Sequence, residues 1–127
     1  MARFTHLDSK GNARMVDVGA KKITARTATA TGRIEVSKAT LKAIQSGGIE
    51  KGDVFSVARL AGIMGAKKTP DLIPLCHPLA LNSVKVELNA AKDGVAAIDI
   101  TATCKVTGKT GVEMEAIMGV NTALITI

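Results

Sequence analysis

The sequence predicts an α+β fold: an antiparallel sheet with helices on one face, in a ferredoxin-like βαββαβ plan that carries an extra helix and lacks its last strand. Three observations predict it. Apolar and polar residues alternate with period two in three separate segments. Two capped stretches of helical spacing lie between the first and second of these segments. A third helical stretch follows the last, giving the order β, α, α, β, β, α.

The chain opens, through Ala20, with Gly11 and Asn12 among polar residues and then Met15-Val16-Asp17-Val18, which reads as an irregular arm or an edge strand. From Arg26 to Val36, small apolar and polar residues alternate as in a strand. Ser37 then has the character of an N-cap; Leu41 and Ile44 form an inward stripe, and Gly47-Gly48 a C-terminal stop. Asp53 is a second N-cap. Val54, Val57, Ala58, Ala61 and Met64 follow at helical spacing, with Lys67 and Lys68 in the last turn, where cations suit the helix dipole. Thr69-Pro70 ends that helix.

Val84, Val86 and Leu88 alternate with Lys85 and Glu87, and Lys92-Asp93-Gly94 is turn chemistry. Ile98, Ile100, Ala102, Cys104 and Val106 alternate with polar partners, so an antiparallel hairpin is expected, with Glu87 and Asp99 as exposed polar residues of its strands. Thr107-Gly108-Lys109-Thr110-Gly111 is a tight turn. Thr110 and Glu113 have capping-box spacing, and Ala116, Ile117, Val120, Ala123 and Leu124 mark the buried stripe of a third helix.

With 127 residues the chain is long enough for one domain with a real core, and that domain is expected to fill residues 1–127. Hydrophobic residues make up 46%, which excludes wholesale disorder. No apolar run approaches the roughly 20 residues of a membrane span, and no secretory h-region opens the chain, so the expected compartment is the cytoplasm. Cys76 and Cys104 fit a reducing compartment and lack metal-ligand spacing, so no metal site is expected. The net charge of +6 asks for an anionic partner. With no Trp or Tyr and only Phe4 and Phe55, base stacking is poorly served, which favours a small polyanion over nucleic acid.

Chemistry concentrates at Asp71-Leu-Ile-Pro-Leu-Cys-His-Pro78, where a cysteine and one of two histidines stand between two prolines. Proline fixes its own φ and pushes the preceding residue out of the helical region, so Leu75-Cys76-His77 is expected in a stiff, extended loop. Cys76 is a nucleophile only if a base or a lowered pKa supports its thiolate. His77 is the better candidate, as an acid/base or as a donor to substrate.

Other signals are weaker. Gly108-Lys109-Thr110 is not a P-loop, because Thr103 stands where the first glycine is needed. Lys51, two residues before the Asp53 cap, is placed for a phosphate at a helix end, but alone reads as a solvated lysine, and Arg26 is unremarkable in isolation. Glu113 and Glu115 diverge on a helix, so one of them caps while the other faces a pocket, or both complement the dipole as first-turn acids.

Taken together, several segments resemble the MoaC-type cyclic pyranopterin monophosphate synthases of molybdenum cofactor biosynthesis. They are Thr5-His6, Met15-Val16-Asp17-Val18, Lys51-Gly52-Asp53-Val54-Phe55, Ala58-Arg59 with Ala61-Gly62-Ile63, Asp71 to Pro78, and Thr107-Gly-Lys-Thr-Gly-Val-Glu-Met-Glu-Ala116. The resemblance runs along essentially the whole chain in order.

It implies a ferredoxin-like subunit in a homohexamer, a trimer of dimers with sites at subunit interfaces. The implied substrate is 3′,8-cyclo-7,8-dihydroguanosine triphosphate, supplied by a radical SAM GTP cyclase, and the product is cyclic pyranopterin monophosphate with loss of pyrophosphate. No cofactor is implied, although magnesium can accompany the triphosphate. By motif, Leu75, Cys76, His77, Glu113, Met114 and Glu115 line the substrate pocket, with Lys51 and Arg26 supplying positive charge. His77 and Glu115 are then expected to carry protons, and Lys51 to act on the departing pyrophosphate.

The family pattern runs on past Ile127, through an Asp-Met-x-x-Lys-type segment with an acid/base Asp and a catalytic Lys, then a Gly-Lys-Ser-Gly-rich stretch. Such a tail is expected beyond the sequence given, and a fragment ending at 127 is expected to be inactive. A non-catalytic nucleotide- or RNA-binding module on the same fold is the alternative, and a catalytically dead assembly subunit is a third reading.

Overall fold

The computed structural model describes residues 4–47 and 52–127. Its elements are β1 (Thr24–Glu35), α1 (Lys38–Ser46), α2 (Val54–Lys67), α3 (Thr69–Leu72), β2 (Ser83–Ala90), β3 (Ala97–Gly108) and α4 (Glu113–Thr126). Among the described residues the sheet has three strands in the order β1-β3-β2, antiparallel throughout. The fold is α+β of the ferredoxin-like kind, and residues 4–23 form an arm that carries an isolated bridge, Leu7 to Ala13.

The alternation read in the sequence sets the layers. One sheet face presents Ile98, Ile100, Ala102, Cys104 and Val106 of β3 with Val86 and Leu88 of β2, all buried, and α2 and α4 cover it. The other face carries Thr27, Thr29, Arg33, Lys85, Glu87 and Lys105, all exposed. Glu87, exposed as expected, pairs with Lys85 at 2.8 Å, and the Arg33 guanidinium bridges the half-buried Asp99 at 2.7 Å and Asp93 of the β2–β3 turn at 2.8 Å. At the β2–β3 turn, Gly94 adopts φ +85° and the Val95 N–H donates to the Asp93 carboxylate.

The expected caps at Ser37 and Asp53 form. Ser37 Oγ accepts from the Thr40 N–H, and Gly47 closes α1 in the left-handed region. Asp53 Oδ1 accepts from the Phe55 and Ser56 N–H groups. Leu41 and Ile44 are half-buried against the core.

Three expectations are corrected. In α2, Ala58 is buried and Val54 and Ala61 half-buried, but Val57 and Met64 are exposed. The inner stripe is the small set Ala58, Gly62, Gly65 and Ala66, because α4 crosses so closely that an added Cβ at Gly62 would stand 2.9 Å from the Gly119 carbonyl. In α4, Ala116, Val120 and Ala123 are buried and Leu124 packs on the core, whereas Ile117 is exposed. Nor does the chain become a loop at Thr69-Pro70. Thr69 Oγ1 donates to the Gly65 and Ala66 carbonyls, and a further helical turn, α3, starts with Pro70 in its first positions, where its missing N–H costs nothing.

Candidate active site

The loop from α3 to β2 differs from the extended run expected. Ile73 to Cys76 is a β-turn closed by the Cys76 N–H donating to the Ile73 carbonyl at 3.4 Å. Pro74 fills the second position, as its fixed φ favours, and Leu75 fills the third at φ +62°. That is glycine's territory, and a leucine there stores about 1–2 kcal/mol of backbone strain. The turn directs Leu75, Cys76 and His77, all half-buried, towards the start of α4.

The helix start is also displaced from expectation. The cap position belongs to Val112, without a side-chain cap bond, rather than to Thr110. Val112 is buried with Ala66, Cys104, Val106 and Ala116, and anchoring that side chain in the core moves the first helical residue to Glu113. Glu113 stays exposed while Glu115, two residues on, is only 2% exposed. One carboxylate meets solvent and the other the interior, as divergence around a helix requires.

These two segments wall a cleft of about 180 Å³ lined by Leu75, Cys76, His77, Leu79, Thr110, Gly111, Glu113, Met114 and Glu115, together with His6 of the arm. Cys76 Sγ–H donates to Glu115 Oε2 at 3.7 Å. Burial, reinforced by the Glu115 charge, pushes the Cys76 thiol up to about 11. Cys104, fully buried, is likewise pushed up to about 11 by burial and then by Glu115. Neither thiol is a ready thiolate, so the nucleophile reading of Cys76 fails.

Glu115 itself is raised above the usual carboxylate range, by burial first and by the nearby Glu113 charge to a lesser extent. A first-turn position would lower it through the helix dipole; desolvation outweighs that here. A carboxyl whose proton is held more tightly than usual is fitted to give that proton to a substrate.

His77 Nε2 lies 2.7 Å from the Val16 carbonyl. A carbonyl only accepts, so Nε2–H donates and Nδ1 is the nitrogen left for other partners. Arg26 does not line the cleft: its Nε donates to the Gly108 carbonyl at 3.4 Å, bracing the turn that leads to Thr110. Lys109 Nζ donates to the Gly19 carbonyl at 3.1 Å, which ties the same turn to the arm. Lys51 lies outside the described residues. Among the described residues, no cluster of three or more His, Cys, Asp or Glu side chains is placed to hold a metal ion.

A larger groove, of about 510 Å³, runs along the outer edge of β2 beside Arg59, whose Nε donates to the Val86 carbonyl at 3.2 Å. It holds no imidazole, thiol or buried carboxylate, so size alone does not mark the chemical site. Sequence reasoning missed His6, Leu79, Thr110 and Gly111 as lining. Thr110 reads in the sequence as a turn residue and helix cap, and Gly111 as a turn residue. His6 and Leu79 carried no local sign of the cleft.

The family model for the MoaC family matches residues 15–127. The chain is 59% identical over 124 residues to the cyclic pyranopterin monophosphate synthase of Rhodospirillum rubrum, covering 98% of this chain and 74% of that protein. To the protein of the same name from Novosphingobium aromaticivorans it is 58% identical over 127 residues, covering 100% and 79%. To that of Streptomyces avermitilis it is 54% identical over 125 residues, covering 98% and 72%. A match over nearly the whole chain that includes both walls of the cleft shows that the chain belongs to the MoaC family.

Proposed function

We propose that this protein is a cyclic pyranopterin monophosphate synthase of molybdenum cofactor biosynthesis, converting 3′,8-cyclo-7,8-dihydroguanosine triphosphate to cyclic pyranopterin monophosphate with release of pyrophosphate. The names of relatives at 52–59% identity support the reaction. The observation that carries the site is the buried Glu115 carboxyl beside the Cys76 thiol in a cleft that also holds His77. Opening the purine and closing the pterin require proton transfers, and a carboxyl raised by burial that shares a cleft with an imidazole held through one nitrogen suits that task.

Leu75, Cys76, Glu113 and Met114 shape the pocket around the substrate. Lys51 meets the triphosphate, and Arg26 adds positive charge while it braces the glycine turn. The reaction runs on these side chains without a resident cofactor, magnesium arriving with the triphosphate. The working protein is a cytoplasmic homohexamer, a trimer of dimers, fed by a radical SAM GTP cyclase. Residues 1–127 form one MoaC-like domain of it.

Incubation of the full-length protein with the cyclic triphosphate, followed by oxidation, should yield a fluorescent pterin. His77→Ala, Glu115→Gln and Lys51→Ala should each lower the yield rate at least about 100-fold. No pterin from the full-length protein would sink the reaction, and unaltered turnover in all three variants would sink the site.

A further inference from the structure

The arm before β1, described from residue 4 to residue 23, places no fully buried residue in the core. Phe4 is 74% exposed and Leu7 40%. Beyond the His77 and Lys109 bonds to Val16 and Gly19, the arm is held by polar bonds of its own. Asp8 Oδ1 accepts from the Lys10 and Asn12 N–H groups at 2.8 and 2.9 Å, and the Asp8 N–H donates to the Asn12 carbonyl at 2.8 Å. At the open end of this loop, the Arg14 N–H donates to the His6 carbonyl at 2.7 Å and Arg14 Nε to the Thr5 carbonyl at 3.3 Å. A loop held this firmly with little apolar burial is built to present something.

What it presents is His6, which lines the cleft already described and also an adjoining cavity of about 320 Å³ that shares Leu75, Cys76 and Met114 with it. His6 Nδ1 lies 3.3 Å from the Arg14 carbonyl, so Nδ1–H donates there, and Nε2 has no hydrogen-bond partner among the described residues. His77 is held the opposite way, through Nε2 to Val16, leaving Nδ1 free. Both anchoring carbonyls belong to the arm, so the arm fixes the tautomers of the chain's two imidazoles at one cleft.

We propose that His6 is a further substrate-contacting residue of this site, its free Nε2 accepting a hydrogen bond from an N–H or O–H of the bound nucleotide. The inference rests on the reading of the cleft as the nucleotide site. Asn and Gln separate its parts. In His6→Asn, the amide nitrogen can replace Nδ1–H towards Arg14, but nothing stands at the Nε2 position. In His6→Gln, the longer amide returns an acceptor there.

With 3′,8-cyclo-7,8-dihydroguanosine triphosphate as substrate and the full-length protein, His6→Ala and His6→Asn should both lower kcat/KM about 10- to 100-fold. His6→Gln should recover KM in part. A purely structural His6 would leave His6→Asn at the wild-type value, which overturns the proposal.

The imidazole 15N resonance of His6 Nε2 in the wild type should shift on adding the same nucleotide. A shift, with weaker binding by His6→Asn, supports the contact even if no pterin forms, in which case only the reaction assigned above fails. Pterin formation with no shift and an unaffected His6→Asn variant overturns the contact and leaves the reaction standing.

Discussion

The Cys76 thiol donates to the Glu115 carboxylate across 3.7 Å, joining the turn after α3 to the first turn of α4 at the floor of the cleft. Burial first, and then the facing carboxylate, disfavour a thiolate and push Cys76 up to about 11. Alkylation of Cys76 by iodoacetamide at pH 8, followed by mass spectrometry, should therefore be slow. In Glu115→Gln the charge goes and burial stays, so the rate should rise without reaching that of an exposed thiol. Rapid alkylation of the wild-type cysteine would contradict the geometry.

Glu115 also links stability to pH. Its carboxyl is raised by burial above the ordinary value of 4.5, so around and above that pH the native state binds more protons there than the unfolded chain. The stabilisation is complete below the unfolded value and is lost as pH rises through the raised native one. Glu115→Gln lacks this loss. Urea melts of the two proteins should agree best near pH 4, with the variant gaining on the wild type as pH rises and the gap then levelling. Asp8, Asp53, Glu87 and Asp93 are all lowered by hydrogen bonds and act in the opposite sense, but they are common to both proteins and cancel in the difference. A gap that does not change with pH would mean that Glu115 is solvated.

The strands and the caps at Ser37 and Asp53 were legible because their causes are local: alternation along a pleated chain, and a short polar side chain just before an apolar run. The start of α4 was not, since burying Val112 outweighs a capping box that Thr110 and Glu113 would have made. Leu75 was missed for a related reason. Nothing local sends a leucine to positive φ, and only the surrounding contacts hold it there. The lining residues around Asp71 to Pro78 were named through the family pattern. Their contacts, such as Cys76 with Glu115 at a separation of 39 residues, and His6 with the cleft, arise from tertiary placement that periodicity does not encode.

The arm should loosen when His77 is cut back. The His77 Nε2–H bond to the Val16 carbonyl is short, at 2.7 Å, and ties the arm to the loop between α3 and β2. A hydrogen bond worth about 1 kcal/mol holds a local opening back about fivefold. Limited trypsin digestion of His77→Ala should cut after Arg14 about five times faster than in the wild type, with the core fragment still resistant. Equal cleavage would mean that the bond does not hold the arm.

Gly62→Ala tests the α2–α4 crossing, where two effects oppose each other. Alanine gains about 1 kcal/mol over glycine inside a helix. Its Cβ, however, would stand 2.9 Å from the Gly119 carbonyl oxygen and 3.2 Å from the Val86 methyls. A backbone carbonyl inside a packed helix cannot step aside, and overpacking of this kind costs about 1–3 kcal/mol. The crossing should win, lowering stability by about 1 kcal/mol and Tm by about 3–6 °C. Combining it with Val86→Ala identifies the obstacle. If the carbonyl is what resists, the two losses should add within about 0.5 kcal/mol, because removing the valine methyls leaves the closest contact in place. A double variant markedly more stable than that sum would move the conflict to Val86, and a stabilised Gly62→Ala would show that α2 and α4 can part at little cost.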